Sequence, residues 1–219
     1  MKGILFSQME PPAELEAEFN DWYETEHIPV RLALPGFSRA VRYKECVGGR
    51  KYLAIYEIDD LAVLESPGYN IVKTKPSERT ARMLKSVKGF TRYTCTLAYD
   101  SGSRPERGKY LCAVAFAVPC EREAQLDDWY ENEHIPLLMR APDWLRVRRY
   151  KVFSGDGGAW TDFALHELRS LAVMDSPERK TARSGPKRDS LAGEAWFENS
   201  GRWLFEVVSV QEGSTVRGS

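Results

Sequence analysis

The sequence predicts an α+β protein in which two βαββαβ repeats pack sheet to sheet as a barrel within one chain. The first observation is a repeated motif, since Asp21–Val30 returns as Asp128–Leu137 with eight of ten residues identical at an offset of 107 residues. The second is that later segments match in the same order, namely Arg42–Lys44 with Arg149–Lys151 and Glu57–Pro67 with Glu167–Pro177. The third is that both halves have the same predicted order of strands and helices.

Each repeat has six predicted elements: a strand, the helix that carries the motif, two strands of a hairpin, a broken helical stretch and a closing strand. In the first repeat these are Gly3–Gln8, Ala13–His27, Ser38–Cys46, Lys51–Ile58, Leu61–Lys85 and Thr91–Ala98. In the second they are Tyr110–Val118, Glu121–His134, Leu145–Phe153, Trp160–Leu168, Leu171–Ala195 and Arg202–Val210. Glycine-rich turns between the hairpin strands support their pairing. This order is that of a ferredoxin-like unit.

A ferredoxin-like sheet carries helices on one face and leaves the other apolar face uncovered. Two copies can bury these faces against each other, so the chain is predicted to form a pseudo-dimer by itself. Its 219 residues suit two domains of about 100 residues each. We expect a first repeat at 1–100, a linker at 101–108, a second repeat at 109–212 and a disordered tail at 213–219.

Composition excludes several classes of function. A formal net charge of −1 gives no general affinity for nucleic acid or anionic membranes. There is no apolar run long enough to span a bilayer, and the N-terminus is too short and too acidic for a signal peptide. The four cysteines have no metal-like spacing and are expected to be reduced, as in a cytoplasmic protein. With no phosphate loop or nucleophile elbow either, we expect no metal and no organic cofactor.

The repeated motif places polar and aromatic side chains on defined helix faces. Trp22 and Glu26 are four residues apart and share one face, and Tyr23 and His27 share the neighbouring face. The second copy repeats both pairs, as Trp129 with Glu133 and Tyr130 with His134. Tyr and His would lie at the edge of the apolar stripe, where helix and sheet could enclose a pocket.

A proline two residues after each histidine predicts that the helix breaks or kinks there. Pro29 lacks an amide donor and would clash with the carbonyl of Thr25, and the residue before proline avoids the α region. His27 would then lie at a helix C-terminus, where the dipole and a neighbouring glutamate favour imidazolium. A histidine with a near-neutral pKa beside an apolar pocket is a candidate general acid or base. The alternative is a histidine that caps a freed carbonyl and holds the kink.

The other residues of the motif have a structural alternative too. Tryptophans at this position are more often core anchors than ligand contacts, and a buried tyrosine needs only a partner for its hydroxyl. Both readings would be kept in both repeats, so repetition does not decide between them. We therefore keep Trp22, Trp129, Glu26 and Glu133 as candidate substrate contacts and Tyr23 and Tyr130 as candidate catalytic residues.

The third histidine, His166, occupies the strand position that Tyr56 occupies in the first repeat. Strand alternation points both side chains towards the helices of their own repeat, so Tyr56 is a candidate substrate contact and His166 a catalytic one. The alternative is a histidine partly exposed at a strand edge. The second strand of each repeat is basic, and it includes Arg42 in the first repeat and Arg149 in the second. Such side chains could bind an anionic substrate, although a solvated strand face is the commoner arrangement.

These residues resemble a known family. Trp-Tyr-x-x-Glu-His-Ile-Pro followed by Pro35–Phe37, together with Ser66–Tyr69 and Phe90–Tyr93, is similar to EthD-like proteins of the dimeric α+β-barrel superfamily. The resemblance covers the first repeat and weakens after Pro177 in the second. It implies a pocket beside His27 and His134, with Tyr23 and Tyr130 near it. Superfamily members include cofactor-free monooxygenases, polyketide cyclases, lactone isomerases, dehydratases and haem proteins, and single-domain members usually dimerise.

Three functions therefore remain open from the sequence. The first is a cofactor-independent isomerase, cyclase, dehydratase or monooxygenase that acts on an aromatic, polyketide-like or lactone small molecule by histidine acid/base chemistry. The second is a non-catalytic small-molecule-binding or accessory protein in which the histidines only brace the helix. The third is a haem-binding protein. The partner in each case is a small molecule, and the resemblance also allows a further homodimer.

Overall fold

A computed structural model describes residues 1–47, 49, 51–102, 104 and 106–213. The protein is α+β, and its eight strands form a closed antiparallel barrel in the order β1-β3-β2-β8-β5-β7-β6-β4, which confirms the predicted fold class. Two residues of the first hairpin turn, Gly48 and Arg50, lie outside the described residues, as do Ser103 and Pro105 of the expected linker and 214–219 of the expected tail.

The strands are β1 (Gly3–Glu10), β2 (Phe37–Glu45), β3 (Tyr52–Ile58), β4 (Lys88–Asp100), β5 (Tyr110–Phe116), β6 (Trp144–Asp156), β7 (Asp162–Leu168) and β8 (Gly201–Glu212). The α-helices are α1 (Glu16–Trp22), α2 (Pro29–Leu32), α3 (Pro67–Thr74), α4 (Glu78–Ser86), α5 (Glu123–Trp129), α6 (Ile135–Leu138), α7 (Pro177–Ala182), α8 (Pro186–Asp189) and α9 (Ala195–Glu198). Single 3₁₀ turns lie at Ala13–Leu15, Leu61–Glu65, Cys120–Arg122 and Leu171–Asp175. Two π-helical turns are described below.

The chain divides into two compact units. The first unit comprises Met1–Thr96, Phe153–Gly158 and Val207–Ser219, and the second comprises Leu97–Val152 and Ala159–Glu206. The ends of β4, β6 and β8 are thus divided between the units. The predicted boundaries at 100 and 109 lie near one of these divisions and stay a prediction.

In the first unit, β3 lies between β1 and β2, and β1 also pairs with β4. The side chains that face the helices form a core around Phe19 and Trp22 of α1, both without exposed surface. Apolar residues three apart on a helix lie on one face, which is why α1 packs against the sheet with this face. The helix α3 begins at Ser66, whose hydroxyl accepts a hydrogen bond from the backbone N–H of Tyr69.

The second unit is built in the same order. β7 lies between β5 and β6, β5 also pairs with β8, and a register shift occurs near the start of β6 as it does near the start of β2. Its core surrounds Leu126 and Trp129 of α5 and includes Leu191 and Phe197. The region after Pro177, where the sequence likeness fades, forms three short helices, α7 to α9, in place of α3 and α4.

The expected helix break after each histidine is wrong. The backbone instead forms a π-helical turn at Tyr23–His27 and another at Tyr130–His134, and each continues directly into the next short helix. The N–H of Ile28 donates to the carbonyl of Tyr23 five residues back, at 3.0 Å. This wider turn keeps Ile28 helical, with φ −75° and ψ −53°, and lets Pro29 enter as the first residue of α2, where a missing N–H costs little.

The basic strands β2 and β6 do not simply expose their charged side chains to solvent. Arg42 on β2 is 1% exposed, and its guanidinium donates to Glu24 at 2.6 Å and to Asn20 at 2.7 Å. Arg149 on β6 is 2% exposed and pairs with Asp127 at 2.6 Å. A buried guanidinium needs such partners, because desolvating an unpaired charge is costly.

Two further expectations concern the chain's environment. Among the described residues none of the four cysteines is assigned to a disulfide; Cys95 and Cys112 are buried, and Cys120 is exposed. Among the helices of the described residues, none is both long enough and apolar enough to cross a bilayer.

Candidate functional site

The first unit contains a cavity of about 290 Å³ beside the π-helical turn. Its wall is built from β1, the π-helical turn, α2, β3 and the α3–α4 region. Tyr23, His27 and Tyr56, all candidates from the sequence, line it together. The π-helical turn brings the first two together, because their rings meet edge to face with centroids 4.8 Å apart. Strand alternation brings in Tyr56 from β3, as expected.

His27 is a buried, neutral imidazole. It is 5% exposed, and its ring packs against that of Trp22 with centroids 4.2 Å apart. Within the described part of the chain the ring forms no hydrogen bond, and its Nδ1 atom is buried without a partner. Burial lowers the pKa of His27 well below 6.5, and the positive charges of Arg31 and Arg42 lower it further. The expected imidazolium at a helix C-terminus is therefore wrong, because desolvation outweighs the dipole.

The two tyrosines of the cavity differ in how the protein holds them. The Tyr23 hydroxyl donates to Met9 Sδ at 3.6 Å, and the Arg42 guanidinium lies over the Tyr23 ring at 4.4 Å. Burial raises the pKa of Tyr23 to about 12. Tyr56 is 1% exposed, and its hydroxyl has no hydrogen-bond partner among the described residues. Burial also raises the pKa of Tyr56, so this hydroxyl is a neutral donor that a bound molecule could use.

Three cationic side chains of the cavity wall were not predicted. Arg31 donates to the carbonyl of His27 at 2.8 Å. Arg92 on β4 donates to the hydroxyl of Tyr69 at 2.8 Å, and Lys73 on α3 lines the wall nearby. Only Arg31 carried a usable signal, because it follows His27 by four residues on a helical segment. Lys73 and Arg92 are distant from the motif in sequence.

Trp22 and Glu26 take other positions. The part of the cavity wall formed by described residues includes neither of them. The Trp22 indole donates to Thr80 Oγ1 at 2.9 Å, and Glu26 accepts from the same hydroxyl at 2.7 Å and from Ser77. The hydrogen bond from Ser77 lowers the pKa of Glu26. Both side chains thus hold the start of α4 against α1, and their role as substrate contacts stays a prediction.

In the second unit, the protein itself holds both histidines. His134 Nδ1 donates to the carbonyl of Ala182 at 2.8 Å, and the indole of Trp144 donates to His166 Nδ1 at 3.2 Å. The two imidazole centroids are 6.3 Å apart, and Tyr130 lies at the same distance from His166. The second unit therefore brings together its three candidate catalytic residues, Tyr130, His134 and His166.

Burial governs the protonation of this cluster. It lowers the pKa of His134 to about 4, against the opposing effect of the Ala182 carbonyl, and lowers the pKa of His166 well below 6.5. Burial also raises the pKa of Tyr130. His166 is 2% exposed, so the alternative of a histidine at an exposed strand edge is wrong.

Glu133 and Trp129 correspond to Glu26 and Trp22. The Glu133 carboxylate accepts from the backbone N–H groups of Lys187 and Arg188 at 3.1 Å each, at the start of α8. Trp129 packs against His134 with ring centroids 4.4 Å apart and against Phe197 at 5.2 Å. These contacts again join the motif helix to the next helical segment, and a substrate-binding role for either residue stays a prediction.

The candidate metal ligands of this protein are its acidic, histidine and cysteine side chains. Within the described ranges, no group of three or more His, Cys, Asp or Glu side chains is arranged to hold a metal ion.

The fold and these sites define an α+β-barrel protein of ferredoxin-like type. An anthrone oxidase-like protein has a similar structure, with a TM-score of 0.71, 14% sequence identity and coverage of 97% of this chain and 93% of that chain. A protein of Fusobacterium nucleatum described as a candidate monooxygenase gives a TM-score of 0.66 at 9% identity, covering 96% and 94%. These likenesses show the fold.

In sequence, the chain is similar to core atranone cluster protein 1 of Stachybotrys chlorohalonatus. The two are 29% identical over 78% of this chain and 79% of that protein. No protein-family model matches the chain.

Proposed function

We propose that the protein is a cofactor-independent enzyme that removes a proton from a hydroxylated aromatic or polyketide-like molecule in the cavity of the first unit. One observation carries this proposal: a neutral imidazole, His27, lines a cavity of mixed aromatic, aliphatic and polar side chains and forms no hydrogen bond to the described residues. A base must be unprotonated and free to accept a proton from its substrate.

The low pKa of His27 suits one kind of reaction. An isolated imidazolium is unfavourable in this buried position, so proton transfer needs a negative charge to form beside it. Deprotonation of a phenol, or of a carbon next to a carbonyl, supplies that charge as a phenolate or enolate. The free Tyr56 hydroxyl can donate to the developing oxyanion, and Arg31 adds positive charge nearby. His27 is the catalytic base in this scheme, and Tyr56 stabilises the anion.

The named neighbours favour an oxygen-dependent step after deprotonation. An anthrone anion is electron-rich enough to react with dioxygen directly, and the balanced reaction is anthrone plus O₂ giving anthraquinone plus water. The ring carbon loses two hydrogens and gains a carbonyl oxygen, while the second oxygen atom leaves as water. The likeness to an anthrone oxidase-like structure supports a substrate of this chemical class. The likeness to an atranone cluster protein supports a small-molecule substrate without naming its class.

The second unit is assigned a different role. Both of its histidines are engaged by protein groups, the Ala182 carbonyl and the Trp144 indole. This observation favours a bracing role there, as in the accessory alternative, and supports our proposal that the reaction occurs in the first unit. We also retain as proposals the EthD-like ancestry and the tandem duplication, which the matching element order and π-helical turns of the two units support.

The test compares anthrone oxidation by the purified wild-type and His27→Ala proteins. The rate is measured from oxygen uptake and from anthraquinone absorbance, and the rate in buffer alone is subtracted. We expect a loss of about 10²- to 10⁴-fold in kcat, because a positioned base contributes about that factor. The matched variant is His134→Ala, which should lower thermal stability while the folded fraction keeps its turnover. Unchanged turnover in folded His27→Ala would overturn the proposal.

Haem binding is tested on the same samples. Titration with haem should give no Soret shift that depends on His27 or His134. A shifted band that disappears in one of the two alanine variants would favour the haem alternative instead.

A further inference from the structure

We propose that the substrate of the first unit carries a carboxylate as well as its acidic hydroxyl, and that Lys73 and Arg92 bind this carboxylate. The inference rests on the proposed function, because it concerns the same cavity. It adds the substrate class: a hydroxylated aromatic acid that the protein holds at two separate points.

The charge of the cavity wall is the first reason. The wall includes three cations, Arg31, Lys73 and Arg92, and one carboxylate, Asp156. In the part of the chain that the structure describes, none of these three cations forms an ion pair with a carboxylate. Cationic side chains that line a partly apolar cavity without carboxylate partners favour an anionic ligand.

The position of two of these cations is the second reason. A neighbouring cavity of about 420 Å³ is also lined by Lys73 and Arg92, whereas His27 and Tyr56 line only the first cavity. Lys73 and Arg92 therefore lie where the two cavities adjoin, and His27 lies within the first. A ligand that meets both groups must carry two polar ends joined by an apolar body.

The neighbouring cavity has acids of its own, Asp60 and Glu65. Asp60 is paired with the amino terminus of Met1 and accepts from the N–H of Ala62 at 2.9 Å. It is therefore already neutralised by a different cation. Among the described residues, neither Asp60 nor Glu65 forms an ion pair with Lys73 or Arg92, so the positive charge of these two side chains is available to a ligand.

Arg92 is held ready for such a ligand. One of its terminal nitrogens donates to the Tyr69 hydroxyl at 2.8 Å, and the Tyr69 ring is itself stacked on Phe37 with centroids 5.5 Å apart. A guanidinium fixed through one nitrogen keeps its other N–H groups for a carboxylate, and less side-chain entropy is lost on binding. Phe90 and Leu84, both partly exposed, supply apolar surface in the same wall for the body of the ligand.

Two anthraquinones make a matched pair of probes. Danthron is a dihydroxyanthraquinone, and rhein has the same rings and hydroxyls plus one carboxylate. Binding is measured without turnover, by calorimetry or by quenching of tryptophan fluorescence at neutral pH. We expect rhein to bind the wild-type protein about 10- to 100-fold more tightly than danthron, which is the range of one charge-assisted carboxylate contact.

The variant Lys73→Gln/Arg92→Gln should remove this preference and leave danthron affinity within about twofold. Lys73→Gln alone should lower the preference for rhein in part. Because Lys73 is at an exposed helical position, this single variant tests the site even if the double variant is unfolded. The control is Lys187→Gln, an exposed lysine of the second unit, which should keep the full preference.

The outcomes separate this inference from the proposed function. Equal affinity for both probes in wild-type protein, or a preference that survives in the folded Lys73 and Arg92 variants, overturns the carboxylate site and leaves the function standing. No binding of either probe overturns both. A rhein preference that persists alongside unchanged anthrone turnover in His27→Ala supports the carboxylate site and overturns the function.

Discussion

Acidification should destabilise this protein well above the pH at which its carboxylates protonate. His27 and His166 are buried and His134 is half-buried, and each has a lowered pKa in the folded state, whereas in the unfolded chain each titrates near 6.5. Below that pH the unfolded chain binds more protons than the folded one, so acid favours unfolding. The stability from each neutral histidine is complete above pH 6.5 and is lost as the pH falls towards the folded pKa.

The magnitude follows from His134, whose pKa falls from 6.5 to about 4. The full difference corresponds to about 3 kcal/mol, of which about 2 kcal/mol is lost between pH 6.5 and pH 5. His27 and His166 add to this with the same sign. Asp100 and Glu26, whose pKa values are lowered by hydrogen bonds from Arg146 and Ser77, lose their contributions only below their ordinary values of 3.8 and 4.5. The window from pH 6.5 to pH 5 therefore reports on the histidines.

The assay is urea unfolding followed by circular dichroism at several pH values between 5 and 8. If the two units unfold separately, each transition is analysed by itself. The control variant is His134→Gln, whose amide can still donate to the Ala182 carbonyl but does not titrate. This variant should take up to one proton fewer on unfolding. The slope of the unfolding free energy against pH should therefore fall by up to about 1.4 kcal/mol per pH unit. Equal stability at pH 5 and pH 7 in the wild-type protein would refute the assignment of neutral, buried imidazoles.

Two further predictions concern stability. Arg149→Ala should lower the free energy of unfolding, measured by urea denaturation, by about 3 to 5 kcal/mol. The reason is that, among the described residues, the buried carboxylate of Asp162 would then have Lys151 as its only cationic partner. A loss below about 1 kcal/mol would contradict a buried ion network. Ser176→Ala should cost about 1 kcal/mol, because its hydroxyl accepts from the N–H of Arg179 at the start of α7. Ser66→Ala at the equivalent cap should cost the same within error, and a clear difference would contradict equivalent caps.

Much of this fold is predictable from short-range patterns. Strand alternation and helix periodicity are local signals, and the observed strands and motif helices match the predicted ones within a few residues. The π-helical turn was missed, because a proline after a helical run indicates a break by the usual rules, and nothing in Tyr23–His27 indicates a wider turn.

The candidate site was only partly predictable. Tyr23, His27 and Tyr56 were found because helix and strand periodicity put them on inward faces. Lys73 and Arg92 were not found, because only the tertiary fold brings α3 and β4 to the motif helix. The direction of the pKa shift of His27 was predicted wrongly, because the sequence indicates where a helix ends but not how deeply the histidine is buried.

Each π-helical turn accommodates one residue more than an α-helical turn would between the same two hydrogen-bonded levels. Deleting Thr25 from the first turn would restore α-helical winding and leave the segments on either side near their present register, because the residue is removed from between the same two levels. Tyr23 and His27 would then be three residues apart instead of four, so the angle between their side chains would change. The relative direction of the phenol and the imidazole is thus set by this one additional residue.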